Sequence, residues 1–160
     1  MPHRKAQVTP MSVTIRPVEA ADKAEWQRLF EGYQLYYERP DLPQEFYDTA
    51  FARLMARDPR DFAGLVAVGD EGHLLGLTHY VFHPHMWRPE GVCYLQDLFT
   101  KPEARGQGVA RALIEAVYAA ADNAGVPSVY WLTQEFNYAG RMLYDKVATR
   151  TPFIRYNRAL

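Results

Sequence analysis

The chain has 160 residues, of which 48% are hydrophobic and 23% are charged, a composition typical of one globular domain with its own core. Its formal net charge of -1 argues against nucleic-acid binding, which needs an excess of positive charge. The one cysteine, Cys93, excludes an intrachain disulfide and is interpreted as a buried small side chain. No apolar run approaches the roughly 20 residues that span a bilayer. We expect a cytoplasmic protein with a flexible tail at residues 1–11 and a single domain at residues 12–160.

The first third of the chain predicts a short strand and two helices. Residues 13–16 alternate in polarity up to Pro17, which predicts the strand. Asp22 is a residue type that caps helices, and apolar residues at helical spacing follow it. A second segment with the same spacing ends before Pro59, because proline disrupts a helix. The apolar residues that define the two helical faces are Trp26, Leu29, Phe30, Phe46, Ala50, Phe51 and Leu54.

The middle of the chain predicts three extended segments. Strands at residues 62–68 and 74–82 flank an Asp-Glu-Gly sequence, which is a hairpin signal. Residues 83–91 contain two prolines and are expected to form a loop. Residues 92–100 contain few polar residues, so we expect this strand at the centre of the sheet.

The last third predicts a helix, a strand, a helix and a strand. Residues 109–121 place apolar side chains on one helical face, and Gly125 follows as a helix-ending residue. A strand is expected at residues 128–133, a shorter helix at 137–146 and a final strand at 153–157. The complete order of elements indicates a mixed α/β sheet with helices on both faces.

A glycine-bearing turn joins the central strand to the long amphipathic helix. Gly106 and Gly108 allow the backbone to approach a ligand closely, and the first amides of a helix lack internal acceptors. These amides and the positive end of the helix dipole suit a pyrophosphate, and Arg105 adds a positive charge. The turn alone is weak evidence, since many helices begin with glycine. It matches neither a Walker turn nor the dinucleotide fingerprint.

Two motifs together resemble the GCN5-related N-acetyltransferase family, particularly its small-amine, polyamine and histone members. Residues 105–110, Arg-Gly-Gln-Gly-Val-Ala, are similar to the family signature Arg/Gln-x-x-Gly-x-Gly/Ala. Residues 137–144 are similar to its second landmark, Asn-x-x-Ala-x-x-Leu-Tyr, and the element order agrees from Val13 to Asn157. The resemblance implies an acyl-CoA N-acyltransferase fold with a mixed sheet splayed at its middle. It also implies transfer of an acetyl group from acetyl-CoA to a primary amine by direct attack in a ternary complex.

The resemblance also implies a set of cofactor-binding residues. The strand before the signature would bond the pantetheine arm, the signature turn would hold the pyrophosphate, and Asn137 would contact the cofactor. Tyr144 matches the tyrosine that protonates the leaving thiolate, which a phenol with a pKa of about 10 can do; its alternative is an ordinary core aromatic. The implied cofactor-binding residues are Leu98, Phe99, Thr100, Arg105, Gly106, Gln107, Gly108, Val109, Ala110, Asn137 and Tyr144.

The sequence leaves open which group acts as the general base. Residues 94–97, Tyr-Leu-Gln-Asp, are similar to the Tyr-Leu-Glu-Asp of the family's polyamine acetyltransferases, in which the glutamate is the proposed base. Gln96 cannot accept a proton at neutral pH. Asp97, which strand alternation places on the opposite face, Glu135 or a chain of water molecules could serve instead.

Acceptor specificity in this family lies mostly in the first two helices and their connection. Here that segment combines aromatic rings and carboxylates, which suit a cation such as a diamine, a lysine side chain or an amino sugar. The alternative is that the tyrosines only pack the helix on the sheet. Phe82 and His85 are expected beside Trp87 on the other wall. The predicted acceptor-binding residues are Tyr33, Tyr36, Tyr37, Glu38, Gln96 and Trp87.

Three further expectations concern partners. No metal is expected, since His79, His83 and His85 lack a nearby carboxylate in the sequence. A non-catalytic module of the same fold, which binds acetyl-CoA or dimerises, stays open because Gln96 replaces the glutamate. The apolar segment 153–156 is compatible with a homodimer. The expected partner is a small-molecule or peptide amine, with no nucleic acid and no membrane.

Overall fold

The computed structural model describes residues 12–160, so the tail expected at residues 1–11 lies outside the described residues. None of the helices in the described part has the length and apolar character needed to cross a bilayer. Two short 3-10 turns lie at Ala20–Asp22 and Pro102–Ala104. In chain order, the elements are β1 (Thr14–Pro17), α1 (Lys23–Tyr36), α2 (Gln44–Ala56), β2 (Ala63–Val68), β3 (Leu74–His85), β4 (Arg88–Thr100), α3 (Val109–Asn123), β5 (Val129–Tyr130) and α4 (Tyr138–Val147).

The strands form one five-stranded sheet in the order β1-β2-β3-β4-β5. The first three pairings are antiparallel. Strand β5 pairs with β4 in parallel through only Cys93 with Val129 and Tyr94 with Tyr130. Because β4 continues to Thr100, its outer edge beyond Tyr94 has no strand partner among the described residues. The predicted mixed sheet, splayed at its middle, is confirmed.

Helices cover both faces of this sheet, as predicted. On one face, α1 and α2 enclose a core around Trp26, whose ring lies 5.3 Å from that of Phe30 and 5.1 Å from that of Phe51. On the other face, α3 buries its apolar stripe, and α4 packs beside it through half-buried residues. Cys93 is fully buried in this second core, as expected, and burial raises the pKa of its thiol to about 11. The sheet therefore separates two cores, and strands β3 and β4 contribute side chains to both of them.

The predicted loop at residues 83–91 is wrong. Strands β3 and β4 continue as a two-stranded hairpin to the pair His85 and Arg88, with a tight turn at its tip. Strand β2 pairs with β3 only as far as Tyr80, so the outer edges of the hairpin end carry no further strand. Pro84 and Pro89, which have no amide hydrogen to donate, are tolerated at such edges. A proline in a sequence is therefore compatible with an unpaired strand edge as well as with a loop.

The predicted final strand at residues 153–157 is also wrong, and β5 is shorter than the predicted 128–133. Residues 148–160 form no helix or strand, and the side chains of Phe153, Ile154 and Tyr156 are exposed. A β-branched or aromatic segment becomes a strand only where another strand pairs with it. No such partner lies within the described part of this chain.

The buried carboxylate of Asp22 joins β1 to the start of α1. Arg16 donates two hydrogen bonds to it, at 2.7 and 2.9 Å, and the amide of Glu19 donates a third at 2.7 Å. Asp22 therefore closes the preceding 3-10 turn rather than capping α1, so the predicted capping role is wrong. The hydrogen bond from Arg16 is the main cause that lowers the pKa of Asp22.

Asp22→Asn should lower the free energy of unfolding at neutral pH by about 1.5–3 kcal/mol, the usual range for hydrogen bonds to a charged group. The pKa of Asp22 is lower in the folded state, so its stabilisation is present above the unfolded-state pKa of about 4. This stabilisation disappears as the pH falls through the folded-state pKa. Urea denaturation at neutral and acid pH measures both effects.

Asp48→Asn is the matched control for this measurement. Asp48 pairs with Lys23 at 2.7 Å, but both side chains are 47% exposed, and such pairs contribute little. No measurable loss is expected. An equal loss in the two variants would contradict the role given to the buried pair.

Candidate active site

The central strand β4 contains a one-residue bulge at Gln96. Asp97 pairs with His79 and Leu95 pairs with Tyr80, which leaves Gln96 without a partner on β3. Leu95 and Leu98, three residues apart, both pack in the core beneath α3, so strict alternation fails between them. Gln96 is exposed and lines a cavity that Tyr33 of α1 also lines, whereas Asp97 is buried beside His79. The strict alternation assumed by the sequence interpretation fails at this bulge, and the placement of Gln96 and Asp97 on opposite faces stays a prediction.

A small, open cavity lies where β4 and β5 part. It brings together five predicted site residues from α1, the segment after it, β4 and α4, which lie far apart in the sequence. They share the cavity wall with residues of the segment after β5, which the sequence interpretation missed. The lining residues are Tyr33, Tyr37, Leu95, Gln96, Leu98, Trp131, Leu132, Thr133 and Tyr144.

Tyr144 projects from α4 into the wall of this cavity. Its ring lies 5.4 Å from that of Trp131 in an edge-on arrangement. Burial, with smaller contributions from Tyr37 and Tyr36, raises the pKa of Tyr144 to about 12. The phenol therefore keeps its proton at neutral pH and is a hydrogen-bond donor facing the cavity.

A buried polar chain lies behind the cavity wall. Asp97 is 6% exposed, and its carboxylate accepts a hydrogen bond of 2.8 Å from Nδ1 of His79, which is 5% exposed. The Nε1–H of Trp26 donates to Nε2 of His79 at 2.9 Å. The sequence interpretation took Trp26 as core and His79 as incidental. The available signal was an ionisable residue within the apolar part of each of two adjacent strands, His79 and Asp97, which a hairpin brings opposite one another.

The turn before α3 has the properties expected of an anion site. Gly106 and Gly108 have φ angles of +75° and +81°, and a Cβ at either position would meet no atom within 4 Å, so the turn faces open space. The first helical amide with a backbone acceptor is that of Ala112, on the carbonyl of Gly108. Within the described chain, no backbone carbonyl accepts from the amides of residues 106–111.

These residues fit a diphosphate group. The free amides stand at the positive end of α3. Arg105 is exposed on the turn, and with Lys101 it lines an open groove beside α1. The hydroxyl of Thr100, at the end of β4, is a buried polar atom without a partner in the described structure. Each of these groups can donate a hydrogen bond to an anion, and the binding of a diphosphate at the turn stays a prediction.

Other predicted cofactor-binding residues have structural contacts of their own. Asn137 caps α4, since its Oδ1 accepts from the amide of Gly140 at 3.2 Å and its Nδ2 donates to Thr133 at 3.0 Å. The ring of Phe99 packs against Gly32 of α1, which leaves its backbone as the available part. The side chain of Gln107 donates to the carbonyl of Glu103 at 3.3 Å. Their cofactor contacts remain predictions.

Three of the predicted acceptor-binding residues do not line the cavity. Tyr36 lines the groove beside Lys101 instead, and Glu38 is exposed after α1. Trp87 is 79% exposed at the tip of the β3–β4 hairpin. Neither His85, also at the tip, nor Phe82, which packs in the core beneath α3, reaches the cavity. These residues therefore lie away from this cavity, because the expected loop is a hairpin, and their contact with an acceptor stays a prediction.

Acidic, histidine and cysteine side chains form no group of three or more that could hold a metal ion within residues 12–160. His79 does have a carboxylate beside it, that of Asp97, which the spacing in the sequence did not reveal. The polar groups that line the cavity include the phenols of three tyrosines, the amide of Gln96 and the hydroxyl of Thr133.

A splayed mixed sheet with a free-amide turn at its centre is the framework of a coenzyme A-dependent acyltransferase. The chain belongs to the acetyltransferase (GNAT) family, whose model matches residues 26–148. It is an acetyl-CoA-dependent N-acetyltransferase, which confirms the resemblance seen in the sequence. Family membership also favours an enzyme over a non-catalytic module of the same fold.

Two relatives are similar over much of the chain. The D-amino-acid N-acetyltransferase HPA3 of Saccharomyces cerevisiae is 35% identical over 146 residues, which are 91% of this chain and 90% of that protein. The aminoglycoside N(6')-acetyltransferase type 1 of Klebsiella aerogenes is 31% identical over 108 residues, which are 66% of this chain and 68% of that protein. Both are named for the acetylation of amines on small molecules.

Solved structures agree on the fold. The aminoglycoside acetyltransferase AAC(6')-Iy, in complex with a bisubstrate analog, has a TM-score of 0.80 at 20% identity over 93% of this chain and 99% of that chain. The ribosomal-protein-alanine N-acetyltransferase of Brucella melitensis biovar Abortus 2308 has a TM-score of 0.78 at 23% identity, over 93% and 100% of the two chains.

Gly108→Glu should weaken the binding of coenzyme A, measured by calorimetry, by about tenfold or more, equivalent to roughly 1.4 kcal/mol. The new carboxylate would stand beside the free amides and repel a diphosphate. Gly125→Glu is the matched control, because Gly125 also has a positive φ angle, of +71°, in open space but lies at the other end of α3. Equal affinities in the two variants would show that the diphosphate binds elsewhere.

Proposed function

We propose that this enzyme acetylates the primary amine of a small acceptor that enters the cavity lined by Tyr33, Tyr37 and Gln96. The observation that carries the proposal is the composition of this wall, which has aromatic rings and an amide but no lysine or arginine side chain. Such a wall suits a cation.

The chemical class of the acceptor is proposed from the same wall and from the relatives. The diamine, lysine side chain and amino sugar expected from the sequence all present a primary amine. One relative is named for D-amino acids and the other for aminoglycosides. We therefore favour a free amino acid or an amino sugar as the acceptor.

In the proposed arrangement, the turn at residues 105–110 binds the diphosphate of the cofactor. The edge of β4 at Leu98, Phe99 and Thr100 would offer backbone groups to the remaining part of the cofactor. In support, β5 pairs with β4 only at Cys93 and Tyr94. When bound, acetyl-CoA supplies the acetyl group as a thioester. Tyr144 holds a proton on Oη at the cavity wall, where it can be given to a departing thiolate.

The acceptor must lose a proton before its nitrogen can attack. Of the groups left open by the sequence, Glu135 is exposed and lies 3.6 Å from Arg150, with no contact to the cavity. Asp97 follows the cavity residue Gln96 in β4 and is buried, and its charge helps to raise the pKa of Tyr33 in the cavity wall. We therefore propose Asp97 as the group that finally accepts the proton.

Release of free thiol from acetyl-CoA tests the acceptor class. The assay uses D- and L-alanine, putrescine, a lysine peptide and neamine, with N-acetylated alanine as a control that lacks a free amine. Turnover of alanine or neamine, above that of the peptide, is expected.

In the same assay, Tyr144→Phe should lower kcat by about 100-fold with little change in coenzyme A affinity. Tyr138→Phe, an exposed position on the same helix, should match the wild type.

Turnover of none of these amines by a folded protein that binds coenzyme A would contradict the proposed acceptor class. An unchanged kcat in Tyr144→Phe would remove Tyr144 from the proposed mechanism while leaving the acceptor class intact.

We also propose a homodimer. The support is the run of exposed apolar side chains after α4, with Phe153 at 78%, Ile154 at 76% and Tyr156 at 89% exposure. A second copy would cover these side chains. Light scattering should give twice the chain mass, and Phe153→Ser combined with Ile154→Ser should give the monomer mass. A monomeric wild type would end this proposal.

A single catalytic domain at residues 12–160 and a cytoplasmic location remain part of the proposal. The match of the family model to residues 26–148 supports the first. One protease-resistant fragment in limited proteolysis, and recovery of the enzyme in the cytosolic fraction of cells, would agree with the two statements.

A further inference from the structure

We propose that Gln34 and Arg39 are positioning residues that keep Tyr37 in the cavity wall and thereby set the affinity for a cationic acceptor. This inference rests on the proposed binding of an ammonium group against that wall. Tyr37 directly follows α1. The described residues that line the cavity include Tyr37 but neither Gln34 nor Arg39. The two residues therefore act through Tyr37 and not by touching the acceptor.

The turn that ends α1 closes on the backbone carbonyl of Gln34. This oxygen accepts hydrogen bonds from the amides of Tyr37, at 3.1 Å, and Arg39, at 3.0 Å. Between these two residues, Glu38 has a φ angle of +58°, a left-handed conformation that glycine adopts without strain but glutamate does not. The backbone that positions Tyr37 is thus a tight turn that benefits from a further tie to the rest of the protein.

A side-chain hydrogen bond supplies this tie. Nη1 of Arg39 donates to Oε1 of Gln34 at 2.9 Å. Gln34 is only 4% exposed, so its amide group is a fixed acceptor within the surrounding core. The guanidinium of Arg39 also lies 5.6 Å from the ring centre of Phe46 in α2, a cation–π distance. Arg39 therefore fastens the turn to α1 and to α2 at the same time.

The ring of Tyr37 depends on this turn for its position. Within the described residues, Tyr33 packs against the core around Trp26, but Tyr37 does not. The ring of Tyr37 instead lies edge-on to the rings of Tyr33 and Tyr36, at 5.0 Å from each. Tyr36 is 49% exposed and gives little support. Release of the turn is therefore expected to move Tyr37 away from Tyr33 and to open the aromatic wall.

The charge of Arg39 gives this inference a sign that separates it from simple electrostatics. A guanidinium near the wall repels an acceptor that carries ammonium groups. On charge alone, removal of Arg39 would lower the KM for a polycation such as neamine. If Arg39 acts by positioning Tyr37, its removal raises that KM instead.

Steady-state kinetics with neamine and D-alanine as acceptors test the proposal. Arg39→Leu and Gln34→Leu should each raise the KM of the acceptor by about fivefold, because an aromatic ring is lost from the cation wall. The kcat and the affinity for coenzyme A should stay at the wild-type values. Arg39→Lys, which keeps a donor for Oε1 of Gln34, should show a smaller rise.

Gln27→Leu is the matched control. Gln27 also joins α1 to α2, through two hydrogen bonds of 2.8 Å with Gln44, but it does not line the cavity. Its KM should equal that of the wild type. Because Arg39 is exposed, Arg39→Leu decides the question even where Gln34→Leu fails to fold. A lowered or unchanged KM for neamine in Arg39→Leu would overturn the proposal.

A double variant tests whether Arg39 acts through Tyr37. Tyr37→Leu alone should raise the KM by about fivefold. Tyr37→Leu combined with Arg39→Leu should raise it no further, since the ring that Arg39 positions is already absent. A rise equal to the product of the two single effects would overturn the proposal. A rise for D-alanine but not for neamine would do the same, because it would assign Arg39 to the carboxylate of the acceptor.

A readout without turnover separates this inference from the proposed function. The rings of Tyr33 and Tyr37 are close enough for a nuclear Overhauser effect between their protons in the wild type. This signal should disappear in Arg39→Leu and persist in Gln27→Leu, and its persistence in Arg39→Leu would overturn the positioning role. If the wild type acetylates neither acceptor while the signal behaves as expected, the proposed acceptor class fails and the positioning of Tyr37 stands.

Discussion

The separation of β4 from β5 after Tyr94 is the constraint on which the rest of the structure depends. In a continuous sheet, the backbone groups on this edge of β4 would bond a neighbouring strand. Here the parallel pairing covers two residue pairs, and the strand continues to Thr100 along an open edge. The gap creates the cavity at its inner end, and the open edge leads directly to the free amides before α3. The cavity and the turn are thus two consequences of one interrupted pairing.

The bulge at Gln96 extends this interruption into the strand itself. By adding one residue between Leu95 and Asp97, it turns the following side chains relative to β3. Asp97 then meets His79 and Tyr33 rather than the core beneath α3. Burial of a carboxylate is costly unless a donor is at hand, and here His79 supplies one. The bulge and the polar chain therefore depend on each other, since neither is stable in an otherwise apolar core alone.

The features that sequence could predict are those set by local chemistry. Helices α1 and α3 follow from apolar spacing, and the turn at Gly106 and Gly108 follows from glycine beside a helix start. What could not be predicted depends on distant partners. Residues 153–157 have strand propensity but no strand to pair with, and Pro84 marks a hairpin edge rather than a loop. The bulge at Gln96 exists only relative to β3, so no pattern within β4 alone reveals it.

The replacement of glutamate by glutamine at position 96 has a physical consequence beyond the loss of a base. A glutamate in the cavity wall would place a negative charge directly against the acceptor amine. With Gln96, the wall carries no charge of its own, and the carboxylate of Asp97 is buried next to it in β4, where it is hydrogen-bonded to His79. A neutral wall with aromatic rings can favour a cationic acceptor through those rings alone. In the proposed function, the side chains that would hold the amine are therefore separate from the carboxylate proposed to take its proton.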